Sequence, residues 1–399
     1  MTDFPHDEYL KDTARRFCAE LLAETSRTPY TPGDLAVDLA DLTGRRVVLW
    51  DVYGTLLASR AVDLEGSLKV PEAMLVSFEK TAEKFGFDNV VQAEWLRDRY
   101  LEGIERVHRK KKAEGFPSPE VKIEQIWGEI ISELEILGYA APVEQRAFLP
   151  WTAALYYEIA FQQAAFYRGA VKVLLQLKEL GIRQGIVSNA QFYTPVLLEV
   201  FLSRDSGGRQ VKLTEIFDES LIVFSYRVGR SKPDPLIFAD VLRELDREGI
   251  ARKDIIYVGN DMLNDIHVAA SQGLTTVLFA ADRHSLEMHE NDDRVALLRP
   301  TAIITANDQL PFMLSGGAAT ESRTLHLGIW HHHLLPGGVS SVIRDSLEAL
   351  APYGGYSQVR AEIFADTTEP GGGKVEWVDR LDKLEEDTTH VENEDEEYE

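Results

Sequence analysis

Two kinds of hydrophobic pattern alternate along this chain and set out its architecture. Short, nearly unbroken apolar runs, the mark of strands buried on both faces, occur at Val47–Trp50 (VVLW), 183–188 (RQGIVS), 221–226, 254–258 (DIIYV), 275–279 and 302–304. Between them apolar residues recur three and four apart with charged residues interspersed, as on amphipathic helices. Such spacing predicts helices over 9–22, 169–180 and 236–246, and one that stops near Gly273. From 58 to 165 the helical pattern runs without a strand, through VPEAMLVSFEKTAEKFGF, QAEWLRDRYLEGIERVHRKKKAEGF and VKIEQIWGEIISELEILGY. That stretch is too long for a loop in a compact domain and reads as a subdomain of its own. The whole predicts an α/β fold: a Rossmann-like doubly wound parallel sheet with an inserted helical cap domain and a small C-terminal extension.

Breaks in composition divide the chain further. Residues 1–45 form a helical lead-in that ends in the linker TSRTPYTPGD, and 46–57 with 166–314 form the core around the cap at 58–165. SGGAAT at 315–320 opens an extension to 383, in which LHLGIWHHHLLPGGVSSVIRDSLEAL reads as strand, Gly-containing loop and helix, with one more strand after it. The tail 384–399, LEEDTTHVENEDEEYE, has no Lys or Arg and reads as disordered.

Charge and cysteine content narrow the partners. A formal net charge of −24 argues against a general affinity for nucleic acid or anionic membranes. The single cysteine, Cys18, excludes an intramolecular disulfide and reads as a small buried residue of the N-terminal helix. No apolar run approaches membrane-spanning length, and the start MTDFPHDEYLKD is acidic where a signal peptide would be basic. A cytoplasmic location is therefore expected.

The candidate chemistry sits where the predicted strands end. Asp51 follows the first strand, with Gly54 and Thr55 turning the chain away; Ser188 and Asn189 end the second; Lys232 precedes a helix; Asp261 and Asp265 follow DIIYV. Ligands of open α/β sheets bind at the carboxyl ends of strands, so these residues can share one site. A carboxylate nucleophile, a hydroxyl, a lysine and an acidic pair suit attack on an electron-poor centre bearing negative oxygens. The acidic pair and a backbone carbonyl near Asp51 offer hard oxygens for one Mg²⁺.

With these segments in order, as DVYGTL, IVSN, SKPDP and VGNDMLND, the chain resembles the haloacid dehalogenase (HAD) superfamily over roughly residues 45–310. The resemblance implies that Asp51 is the nucleophile and that Ser188 and Lys232 position the transferred group. Gly54 and Asn189 would lie against the substrate, with Thr55 and backbone donors around the phosphoryl oxygens. Mg²⁺ would be held by Asp51, the carbonyl of Tyr53, Asp265 and Asp261, and the cap would close over the site and select the substrate. Two positions depart from the family's phosphatases: Tyr53 replaces an Asp that protonates the leaving oxygen, and Gly259 is followed by Asn260 before Asp261. Tyr53 is similar to the family's metal-free 2-haloacid dehalogenases, although their Tyr six residues after the lysine is Phe238 here. The expected activity is a Mg²⁺-dependent phosphatase acting on a small phosphate ester through an aspartyl-phosphate on Asp51. Its alternatives are a 2-haloacid dehalogenase-type hydrolase and a catalytically weakened binding protein.

Other signals have plainer readings. Arg109–Lys112 (RKKK) reads as a solvated helix face, Arg168 as a surface residue opening a helix, and the aromatic cluster Trp151, Tyr156, Tyr157, Phe161, Phe166 and Tyr167 as cap packing. Of His331–His333 only the first and third would share a face of a strand, without a third ligand in sight. The stretch 326–350 resembles the opening strand–loop–helix of glycosyltransferases built from two Rossmann-like lobes, with Gly337 and Gly338 in the loop. It is too short to supply such lobes and reads as an appended βα unit without transferase activity, a fusion remnant, or a docking module for a protein partner such as a separate transferase.

Overall fold

A computed structural model describes residues 7–22, 35–59, 70–316, 324–331, 358–365 and 375–379. They fall into two compact units, Met1–Asp38 with Gly44–Asn307, and Leu39–Thr43 with Asp308–Glu399.

The first unit opens with helix α1 (Asp7–Leu21) and strand β1 (Val47–Trp50), then β2 (Leu57–Ala58). Four long helices follow: α2 (Val70–Phe85), α3 (Ala93–Ala113), α4 (Ile123–Ile136) and α5 (Leu149–Gln162). The short strand β3 (Ala165–Phe166) pairs antiparallel with β2, so both ends of the helical insertion pass through one two-stranded ribbon. The chain continues through α6 (Ala170–Glu179), β4 (Arg183–Ser188), α7 (Tyr193–Asp205), β5 (Ile222–Phe224), the single turn α8 (Ser225–Val228) and α9 (Ala239–Arg247). Then come β6 (Ile255–Gly259), a π-helical turn Met262–His267, α10 (Val268–Ser271), β7 (Thr275–Phe279) and β8 (Ala302–Ile304).

The six longer strands form one parallel sheet in the order β5-β4-β1-β6-β7-β8, as the apolar runs predicted. All four residues of β1 are fully buried, which fits a central strand covered on both faces. Trp50 lies opposite both Ile186 and Val258, so the residues just past it, Asp51, Ser188 and the segment after Gly259, emerge together at one sheet edge. Close packing fixes this register. A Cβ on Gly185 of β4 would come within 2.5 Å of Leu221 and 2.8 Å of Leu49.

Three departures from the sequence pattern have local causes. The run at 221–226 is strand only to Phe224, because Ser225 starts the helical turn that Gly229 ends. The helix predicted from 236 opens as a 3₁₀ turn, Pro235–Phe238, whose first N–H, that of Leu236, is capped by the Asp234 side chain. Helix α7 has no polar face to reveal it: eight of its residues are buried, so its apolar positions lack a 3.6-residue period.

In the second unit α11 (Gln309–Leu314) accepts a hydrogen bond from Leu42 N at Met313 O. The strands β9 (Thr324–His331), β10 (Gln358–Ala365) and β11 (Val375–Asp379) form a sheet with β10 central, parallel to β9 and antiparallel to β11. His331 is the last residue of β9; His332, His333, the predicted Gly-containing loop and helix, and the acidic tail lie outside the described residues. Among the described residues no helix is long and apolar enough to cross a membrane.

Candidate active site

Asp51 continues β1 by one residue, its N–H bonded to Val258 O at 2.9 Å. The chain must then reverse at once. Gly54 does this with φ of +84°, a conformation that disfavours any residue with a Cβ. A Cβ there would also come within 2.4–2.7 Å of the Asn260 side chain. The turn brings Thr55 back beside Asp51, with Oγ1 3.5 Å from Asp51 Oδ2 and 3.0 Å from Asn260 Oδ1.

Ser188, at the end of β4, donates to Asp51 Oδ1 at 3.0 Å. Lys232 Nζ donates to the same oxygen at 2.5 Å, to Asp265 Oδ1 at 2.5 Å and to the Tyr257 hydroxyl at 3.0 Å. All three donors of the ammonium are thus spent. Asn189 holds the lysine's backbone rather than facing outward: its Oδ1 accepts from Lys232 N at 2.7 Å and its Nδ2 donates to Lys232 O at 3.3 Å. Asp51, Ser188, Lys232 and Asp265 are each at most 5% exposed.

Burial works against the charge of Lys232, but Asp265 and Asp51 outweigh it and hold the ammonium above its ordinary value. Burial lifts the Asp265 carboxyl to about 7 against the pull of Lys232, with the negative charge of Asp51 adding to the rise. Asp265 keeps its place because Gly259 leaves room; a Cβ there would meet its carboxyl group at 2.3–2.4 Å. Its Oδ2 accepts from Asp261 N at 3.0 Å.

The two acidic residues of the last motif do different things. Asp265 joins the buried cluster. Asp261 turns its carboxylate onto the π-helical turn, accepting from Leu263 N and Asn264 N at 2.7 Å and from Asn264 Nδ2 at 2.6 Å, with His289 Nε2 3.0 Å away. The side chain that reaches the Asp51 turn is instead Asn260, whose Nδ2 donates to Ser285 O. The Tyr53 phenol lies 3.2 Å from Thr194 Oγ1. Burial and the neighbouring Glu158 raise that phenol well above its ordinary value.

The sequence pattern missed Tyr257 and Glu158. Tyr257 reads as one more apolar residue of DIIYV, yet its hydroxyl accepts from Lys232 and lies 2.7 Å from Val187 O and 3.1 Å from Asp265 Oδ1. A phenol in an otherwise aliphatic buried strand was its one available signal. Glu158 interrupts the apolar surface of α5.

For a cation the site offers hard oxygens: the carboxylates of Asp51 and Asp265 and the amide oxygen of Asn260. Among the described residues no three His, Cys, Asp or Glu side chains converge as a closed cage. Open sets of one or two carboxylates completed by substrate phosphate and water are what Mg²⁺ commonly uses, so the donor chemistry fits that ion. A cavity of about 440 Å³ bounded by Leu10, Lys11, Phe192, Glu199 and Phe224 contains none of these residues.

The plainer sequence readings can be placed too. Arg109, Lys110 and Lys112 are exposed on α3, and Arg168 is exposed. Tyr156 packs on Phe17 and Phe85, Tyr157 on Phe78, Tyr100 and Phe161, and Tyr167 on Phe279. Cys18 is partly buried, and burial pushes its thiol up to about 12.

Comparison with known proteins gives a consistent frame. The family model of haloacid dehalogenase-like hydrolases matches residues 45–273. A glyceraldehyde 3-phosphate phosphatase of Methanopyrus kandleri is 27% identical over 142 residues, 35% of this chain and 54% of that protein. Its counterpart from Pyrococcus abyssi is 28% identical over 132 residues, 32% of this chain and 50% of that protein. The chain thus spans about half the length of these curated relatives. Among solved structures, a HAD phosphatase from Thermococcus onnurineus aligns with 68% of this chain and 98% of its own, at 18% identity and a TM-score of 0.39.

Proposed function

Because the chain belongs to the haloacid dehalogenase-like hydrolase family, we propose that it is a Mg²⁺-dependent phosphatase of a small phosphate ester, with Asp51 as nucleophile. The observation that carries this reading is the asymmetry of the Asp51 carboxylate. Oδ1 accepts from Ser188 and Lys232, while Oδ2, among the described residues, accepts only the long contact from Thr55. One oxygen is anchored and the other keeps its lone pairs for attack. The phosphatases of Methanopyrus kandleri and Pyrococcus abyssi support phosphate as the group transferred.

In this mechanism Oδ2 attacks phosphorus, the ester P–O bond breaks and the leaving oxygen takes a proton from water to become the alcohol. A second water then attacks phosphorus of the aspartyl-phosphate, freeing the Asp51 carboxylate and releasing phosphate and a proton to solvent. Ser188 and Lys232 orient the carboxylate, and the positive charge of Lys232 beside it offsets the charge of the approaching phosphoryl oxygens. Thr55 and the turn at Gly54 bound the other side, and Asn189 fixes the lysine's backbone. Asp265 holds Lys232 charged. Bound by Asp51, Asp265, Asn260 and the Tyr53 carbonyl, Mg²⁺ would offset negative charge on the transferred group. Asp261 is assigned no ligand role, since its carboxylate is committed to capping. The raised Tyr53 phenol is a weak proton donor at neutral pH, so esters of acidic alcohols should turn over faster than alkyl phosphates.

Lys232 also favours a second reading. With Nζ 2.5 Å from both carboxylates it already offsets their charge, which suits attack of Asp51 on a halogen-bearing carbon without metal. Two experiments separate the readings. Phosphate release from an aryl phosphate, with Mg²⁺ or EDTA, should require the metal and vanish in Asp51→Asn. In ¹⁸O-water the dehalogenase route, which hydrolyses an ester at the Asp51 carboxyl carbon, would place ¹⁸O in Asp51, whereas the phosphatase route places it in phosphate.

A further inference from the structure

Between α3, which ends at Ala113, and α4, which starts at Ile123, the helical insertion reaches the loop that leads to Lys232. Pro119 and Arg230 form an antiparallel bridge there. Around it Glu120 N donates to Gly229 O at 3.3 Å, and Ser231 donates to Ser118 O twice, from N at 2.9 Å and from Oγ at 3.2 Å. The Arg230 guanidinium lies 4.7 Å from the centre of the Phe116 ring and donates to Asp234 Oδ2 at 2.8 Å. The Glu120 carboxylate reaches two loops at once. Its Oε1 accepts from Gln191 Nε2 at 2.9 Å, and its Oε2 accepts from Ser225 Oγ at 2.5 Å. Ser225, fully buried, accepts in turn from Ala190 N at 2.8 Å. Gln191 completes the junction: its Oε1 accepts from Ile123 N and its Nε2 donates to Val121 O, both at 3.2 Å. From the helical side Lys111 Nζ donates to Glu120 O at 2.5 Å, so one cation of the basic run 109–112 anchors the segment to α3.

Both loops caught in this way carry residues of the site. Ser188 and Asn189 directly precede Ala190 and Gln191, and Ser231 directly precedes Lys232. Asn189 also joins the two loops through the backbone of Lys232. We propose that 116–121 is a strap by which the helical insertion holds these loops in register, and that Glu120 is a positioning residue acting on Lys232 through Ser225 and Gln191. A carboxylate suits this task because it presents acceptors in two directions, one oxygen to each loop. All three donors of the Lys232 ammonium are committed, so a shift of its backbone must disturb the contact with Asp51. Lysine placement therefore depends on a side chain of the insertion, which itself stands outside the catalytic cluster. The effect on turnover rests on the phosphatase reading; the effect on the loops does not.

The test uses the full chain as wild type, Glu120→Ala and Glu120→Gln, each assayed well below its melting temperature. E120A removes both acceptors, and its kcat for an aryl phosphate with Mg²⁺ should fall about 100-fold, the usual cost of a displacement near 1 Å, with KM almost unchanged. Hydrogen exchange should rise at the 189–191 and 229–232 amides and not across the sheet. E120Q keeps its Oε1 for Gln191 and Val121 N and turns an N–H to Ser225 Oγ, which then donates to Ala190 O, 3.0 Å away. It should therefore restore most of kcat and of the protection. An E120A kcat within a few-fold of wild type, a loss confined to KM, an E120Q as slow as E120A, or exchange that rises throughout would each overturn the proposal. Should E120A fail to fold, Glu120→Asp, whose carboxylate is drawn back by one methylene, takes its place with the same outcomes. If the wild-type chain hydrolyses no phosphate ester, the functional reading fails, and the exchange measurement alone decides: faster exchange confined to 189–191 and 229–232 supports the strap, and unchanged exchange refutes it.

Discussion

The polar cluster at the sheet edge and the aromatic interior of the helical layer are both buried, yet they are built on opposite terms. Around Asp51 each polar side chain has partners: Ser188, Lys232, Asp265, Tyr257, Thr55 and Asn260 all hydrogen-bond. In the helical layer Phe78, Tyr100, Trp127 and Tyr157 pack on one another in tilted and edge-on pairs at 4.4–6.1 Å between centroids, while Trp127 Nε1 and the Tyr157 hydroxyl are buried without a partner among the described residues. Hydrogen bonds specify one arrangement, and losing any partner leaves a charge or dipole stranded in low dielectric. Ring packing specifies volume, and it tolerates a lost polar atom. Change should therefore be costly in the first region and cheap in the second.

The largest expected effect is on chemistry. Asp51→Asn keeps the shape of the cluster and should reduce aryl phosphate turnover by at least ~10³-fold, with a melting temperature near that of wild type. Next in size, Lys232→Met leaves Asp51 and Asp265 buried face to face without a cation. Breaking a buried pair this way costs about 3–5 kcal/mol, read as a lowered denaturant midpoint at unchanged slope.

Glu158, buried in the middle of α5, adds a pH signature. Its carboxyl lies at about 7 in the folded chain against 4.5 in its ordinary state. A carboxyl raised on folding favours the folded state while it is protonated there. That advantage is complete below 4.5, is lost as pH rises toward 7, and changes no further above it. Glu158→Gln removes this titration. The variant should gain stability relative to wild type between pH 4.5 and 7, levelling at roughly 3 kcal/mol, as urea melts across that range would measure.

Smaller still is the effect expected inside the helical layer. Tyr157→Phe removes an unpartnered buried hydroxyl and should leave stability unchanged or raise it by ~1 kcal/mol. A loss of more than that would mean the hydroxyl has a partner and that the helical layer, like the cluster, depends on its polar contacts. Away from both regions, Cys18 should react with a thiol reagent at pH 8 far more slowly in the folded chain than in urea, because a thiol near 12 is almost wholly protonated there.

How far the sequence reveals this molecule follows from the same contrast. The sheet is legible because each parallel strand is apolar on both faces; Asp51 is legible because it follows its run directly, Ser188 because it ends one, and Asp265 because it lies in the short segment after another. What Asp261 and Asn260 do is not legible, since one residue of helical phase decides which side chain faces Asp51 and which caps the turn. Helix α7 escapes notice because burial on all sides erases its period. Tyr257 and Glu158 look like interior residues in any periodicity analysis. Only the hydrogen bonds of Tyr257 with Lys232 and Val187, and the burial of Glu158, reveal them. The strands β10 and β11 lie beyond the predicted βα unit, and the glycosyltransferase-like loop and helix fall outside the described residues.

The most direct test of the central claim is to mix the protein with an aryl phosphate and Mg²⁺, quench in acid within the first turnovers, and map any phosphoryl adduct by peptide mass. A phosphoryl group on the peptide carrying Asp51, absent from Asp51→Asn, is the predicted result. A phosphoryl group on another residue such as Ser188, or phosphate release that persists in Asp51→Asn, would contradict it.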